Sequence, residues 1–143
     1  MSDEKFETVT VPQVFGASAE HVYDAFLTPE TAAQFLFRTP NGEMVRSEVD
    51  ARVGGAYAFT ERRAGEDVLH TGEYVELERP RRIVFTFSVP KYSSAVSTVA
   101  IDIVPHGEGC ELTLANSGVP AVWAERGREG WAGILAKAAA VVG

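Results

Sequence analysis

Histidine, cysteine and glycine-rich stretches are where this 143-residue sequence would carry reaction chemistry, and their spacing argues against most of it. His21, His70 and His106 are far apart and fall on different elements, with no pair at metal-ligand spacing. Neither a metal site nor a cofactor is expected. Cys110 is the sole cysteine, so no intrachain disulfide can form. With no partner nearby it reads as a small buried hydrophobe rather than a catalytic thiol. Val53-Gly54-Gly55-Ala56 opens a strand, not a helix, and lacks the helix N-terminus that would cradle a phosphate. There is no Gly-x-Ser-x-Gly elbow and no Cys-His arrangement. No catalytic residue is assigned, and the balance falls against an enzyme.

Binding is the chemistry that remains. His70, Gly72 and Tyr74 alternate along one strand and share a face, while Glu73 points to the other. His70 and Tyr74 therefore read as polar anchors in an otherwise apolar pocket, the usual division of labour in small-molecule sites. Candidate ligand-contacting residues around them are Phe26, Phe35, Tyr57, Phe59, Phe85, Phe87, Trp123, Gly127, Trp131 and Leu135.

These side chains need elements to position them. Phe6 to Phe15, with Val9, Val11 and Val14, reads as a first strand despite Pro12. Ser18 is a candidate N-cap of a short helix whose apolar face is Val22 with Phe26 and Tyr23 with Leu27. Thr28-Pro29-Glu30 starts a second short helix, capped by Thr28 and running through about Phe35. From Glu43 to Asn116 the period becomes two, with turn signals at Asn41-Gly42, Gly54-Gly55, Ala64-Gly65-Glu66, Pro80, Pro90 and His106-Gly107-Glu108-Gly109. A meander of strands follows, six or seven counting the first. Its dry face holds Ile83, Phe85, Phe87 and Val89, then Val99, Ile101 and Ile103, then Cys110, Leu112 and Leu114. After Ser117-Gly118-Val119-Pro120 the pattern turns helical, with Trp123, Gly127, Trp131, Leu135, Ala138 and Val142 forming one stripe that must lie on the dry face. Gly127, Gly130 and Gly133 each cost about 1 kcal/mol relative to Ala in a helix. Either another backbone comes close there, or the missing side chains leave room for a ligand.

The length fits one domain over residues 1–143. A formal net charge of −7 repels polyanions and gives no support to nucleic-acid binding or to adhesion on acidic membranes, so no nucleic acid is expected as a partner. Arg62 with Arg63, and Arg79 with Arg81 and Arg82, run against that charge at expected hairpin ends and read as solvated turns. Met1-Ser2-Asp3-Glu4-Lys5 lacks the basic and apolar regions of a secretory signal, and no apolar run approaches bilayer length. A cytoplasmic location without membrane insertion is expected.

The element order and five sequence blocks resemble the helix-grip proteins of the START/SRPBCC superfamily, and within them the domain related to the activator of heat-shock protein 90 ATPase. The blocks are Val14 to Phe26, Asp50 to Gly55, Gly72 to Phe85, Cys110 to Leu114, and Gly130-Trp131. The resemblance implies an α+β fold with a curved antiparallel sheet wrapped around a long C-terminal helix and two short helices after the first strand. The sequence departs from the family at Phe35 and Phe87, where tryptophan is frequent, and at Asn116, where a histidine often ends the last strand.

Three functions fit. The resemblance implies binding of a small hydrophobic or aromatic ligand between sheet and helix, which the glycine-bearing, tryptophan-rich helix supports. The alternatives are a chaperone-associated stress protein similar to the ATPase activator, and an enzyme of the polyketide cyclase or aromatase kind. The expected partner is a small hydrophobic molecule, with a chaperone as the alternative, and the chain is monomeric or a homodimer.

Overall fold

The computed structural model describes residues 5–39 and 41–143; Met1 to Glu4, on which the absence of a leader was read, lie outside the described residues. The elements run β1 (Phe6–Phe15), α1 (Ala19–Leu27), α2 (Pro29–Ala32), β2 (Glu43–Val49), β3 (Ala56–Arg63), β4 (Glu66–Glu78), β5 (Arg82–Phe87), β6 (Ser97–His106), β7 (Gly109–Pro120), a 3-10 turn (Ala121–Trp123) and α3 (Ala124–Val142). The strands form one seven-stranded sheet in the order β1-β7-β6-β5-β4-β3-β2. Every pairing is antiparallel. The architecture is α+β of the helix-grip kind, as the resemblance implied.

Period-two sequence makes this sheet because alternate residues share a face. Ile83 pairs with Ile101 and Phe85 with Val99, Ile101 pairs with Leu114 and Ile103 with Leu112, and all seven are buried. β1 lies at the sheet edge, so Pro12 leaves no central ladder bond unmade. Ser18 caps α1 by accepting from the His21 N–H at 3.2 Å. Ala64 and Gly65, both at positive φ, close the β3-β4 hairpin as a two-residue turn. On α3 the buried side chains are Ala124, Trp131, Leu135 and Ala138, one stripe at helical spacing.

Three expectations are corrected. Ser117-Gly118-Val119-Pro120 does not end the sheet: Val119 pairs with Glu7 and Pro120 with Phe6. Gly118 sits at φ +74° where the β1-β7 register shifts, so its turn signal marks a bulge, not a reversal. Trp123 precedes α3 in the 3-10 turn and is 48% exposed, so the buried stripe begins at Ala124. The second helix ends at Ala32, and Thr28 does not cap it because its hydroxyl donates back to the Asp24 carbonyl of α1.

Among the described residues, no helix is long and apolar enough to cross a membrane.

Candidate functional site

The three helical glycines decide between the two readings of α3. A Cβ built on Gly130 or on Gly133 meets nothing within 4 Å, and one on Gly127 meets only a Val9 methyl at 3.8 Å. No backbone comes close; the space is open. It belongs to two clefts along α3. One, of about 650 Å³, lies between α3 and the segment Phe35–Thr39 and takes in all three glycines. The other, of about 680 Å³, lies between the start of α3, the end of β7 and the β5-β6 connection around Tyr92. Arg63, Phe87, Gly127 and Trp131 line both.

Trp131 is seated by a polar chain. Its indole N–H donates to Asn116 Oδ1 at 3.1 Å, and the Asn116 amide donates to Ser97 Oγ at 2.9 Å and to the Thr98 carbonyl at 3.1 Å. Asn116 thereby ties α3 to β6 and β7. Phe37 meets Trp131 edge-on at 5.8 Å and stacks on His70 at 4.7 Å and on Phe87 at 5.2 Å. Its backbone sits at φ 55°, an unfavourable region for a bulky residue, so this stacking has to hold it there.

Behind the rings lies an ionic cluster. Glu61 is fully buried and accepts from the Thr39 N–H and hydroxyl and from Arg63 Nε. Its approach depends on Gly42, where a Cβ would fall 1.9 Å from Glu61 Oε2. Arg63 Nη2 lies 3.4 Å from His70 Nε2, and His70 Nδ1 lies 3.3 Å from the Phe59 carbonyl. Both contacts are satisfied by a neutral ring with the proton on Nδ1. Burial, and then the Arg63 charge, lower the His70 pKa to about 4.

The twelve sequence candidates separate into groups. Phe35, His70, Phe87, Trp123, Gly127 and Trp131 line the clefts. Phe26, Tyr57, Phe59, Tyr74 and Phe85 instead surround a space of only about 10 Å³, and Leu135 is wholly buried and lines neither cleft. His70 and Tyr74, paired above as anchors, are thus divided between an open cleft and a packed aromatic cluster. Tyr57 donates to the Thr86 carbonyl at 2.7 Å, and burial raises both tyrosine pKa values. Sequence reasoning missed Phe37, Asn116, Glu61 and Arg63. The last two had a signal: Tyr57, Phe59, Glu61 and Arg63 alternate on β3, so Arg63 shares the inward face while Arg62 turns out to pair with Asp67. Among the described residues no group of His, Cys, Asp and Glu is placed to hold a metal ion. Cys110 is buried, and that burial raises its pKa.

The model of the family described as Activator of Hsp90 ATPase homolog 1-like protein matches residues 16–143. The chain belongs to this family. A crystal structure of a Chromobacterium violaceum protein is 30% identical, with a TM-score of 0.86 over 94% of this chain and 96% of that one. The solution structure of an AHSA1-like protein from Aeromonas hydrophila, 18% identical, superposes with a TM-score of 0.81 over 95% of this chain and 92% of that one. A Staphylococcus aureus protein of unknown function, 14% identical, gives 0.86 over 98% and 95%. The latter two likenesses concern the fold alone. Among curated proteins, none matches the sequence.

Proposed function

We propose that this member of the family binds a small apolar molecule in the clefts between α3 and the sheet. The observation that carries the reading is the run of glycines on α3: residues that weaken a helix stand where their absent side chains open onto a cleft. A volume of about 650 Å³ falls within the usual range of small-molecule sites. The walls suit the role, since Phe87 and Trp131 offer ring surface and a few polar groups stand among them.

Gly130→Leu and Gly133→Leu test it, because each would fill the first cleft without touching the core. Aromatic compounds of about 15 to 25 heavy atoms should raise the melting temperature of the native protein, since a ligand at 100 times its Kd adds about 2.7 kcal/mol. The leucine variants should fold and lose that response. Equal responses in variants and parent would refute the cleft as the site.

A further inference from the structure

Resting on that reading, we propose that the bound molecule carries an anionic head, a carboxylate or its chemical equivalent, held by Arg63 where the two clefts meet, with its apolar body against Phe87 and Trp131. The chain as a whole argues the opposite, with 20 acidic and 13 basic side chains. The distribution of pairs does not follow that total. Among the described residues, carboxylates pair with every Lys and Arg except Lys5, Arg38, Arg126 and Lys137. Arg38 and Lys137 line the first cleft and Arg126 the second. In a protein with acid to spare, three of the four cations without a carboxylate partner among the described residues surround the clefts. Among the described residues, the one acid lining the clefts is Glu129.

Arg63 is the cation best placed to take a charged head. Glu61 fixes its Nε and His70 faces its Nη2, so the guanidinium is oriented before any ligand arrives. Nη1 has no hydrogen-bond partner among the described residues. An arginine held on one side by a carboxylate presents its remaining donors in a fixed geometry, as planar anions require. The neutral His70 ring adds no competing charge, and Arg38, Arg126 and Lys137 supply a positive field at the openings that draws anions in.

Two fluorescent probes with one ring system separate head from body: anilinonaphthalene sulfonate, which is anionic, and phenyl-naphthylamine, which lacks the sulfonate. The native protein should bind the anionic probe about tenfold more tightly or better, the equivalent of about 1.4 kcal/mol or more, close to the lower end of what a charged hydrogen bond contributes. Added salt should erode that preference. Glu61→Gln with Arg63→Gln removes the pair without stranding a buried charge, and should bring the two affinities together while the neutral probe still binds. Arg38→Gln with Lys137→Gln removes two charges from the first cleft; it should weaken the anionic probe several-fold more than the neutral one and flatten the salt dependence of the anionic probe. Equal binding of both probes to the native protein, or a preference that survives both double variants, would overturn the anionic head while leaving the apolar cleft standing. Binding of neither probe would remove the cleft reading and this inference with it.

Discussion

Packing between Phe37 and the β3-β4 pair sets how His70 responds to acid. Folded, its pKa is lowered to about 4; unfolded, it lies near 6.5. The unfolded chain therefore takes up the proton first. The stability His70 confers is complete above about pH 6.5 and is lost as pH falls toward 4, by about 3 kcal/mol in all. Denaturant unfolding across that window should show a steeper loss in the parent than in His70→Gln, and parallel curves would contradict the buried neutral ring. Trp131 and Asn116 form the second residue-scale unit. Trp131→Phe and Asn116→Ala should each cost about 1 to 2 kcal/mol, since each leaves a buried polar group without its partner. Made together they should cost less than the sum, and strict additivity in a double-mutant cycle would mean the bond contributes nothing. Neither partner was legible as a pair. Periodicity marks Trp131 as inward but says nothing of what its N–H meets, and Asn116 follows Cys110, Leu112 and Leu114 on a face that otherwise reads as wholly apolar.

Among the elements, α3 and β4 use glycine for opposite reasons. Gly133 faces open space, so Gly133→Ala should stabilise by about 0.5 to 1 kcal/mol. Gly72 on β4 is pressed against its neighbour: a Cβ there would lie 1.8 Å from the Thr86 carbonyl oxygen. Gly72→Ala must displace backbone and should destabilise by about 2 kcal/mol or more. Thermal melts of the two variants should move in opposite directions, and a shared direction would mean that one of the two environments is wrong. Alternation and capping made most elements readable, Ser18 and the β5, β6 and β7 faces above all. Bulges were not readable. A glycine at positive φ serves a chain reversal and a bulge equally well, which is why Gly118 pointed to the end of a strand that continues two residues further. The inward arginine of the β3 hairpin was hidden for a similar reason, because adjacent arginines at a turn look alike in sequence while the pleat sends Arg62 outward and Arg63 in.

For the molecule as a whole, the architecture was legible because seven strands and one long helix each carry their own period. The candidate site was only half legible. An aromatic face looks the same in sequence whether its rings close on one another, as Tyr57, Phe59, Tyr74 and Phe85 do, or stop short, as Phe87 and Trp131 do beside the glycines. Net charge is silent on such local detail, being a sum over the chain, whereas Arg38, Arg126 and Lys137 line the clefts.

The pairing of β1 with β7 carries a consequence for how the chain is made. During synthesis β1 emerges first, yet its one partner in the sheet is the last strand to appear, with Phe15 opposite Cys110 and Phe6 opposite Pro120. At about 5 to 20 residues per second a ribosome needs several seconds or more to deliver that partner. Until then Val9, Val11 and Phe15, all buried in the finished fold, have no sheet to join. Nascent chains stalled before Gly109 should leave β1 open to protease, whereas chains that carry all of β7 and α3 outside the ribosome should protect it. Protection of β1 in the shorter chains would show that the strand finds a temporary partner of its own.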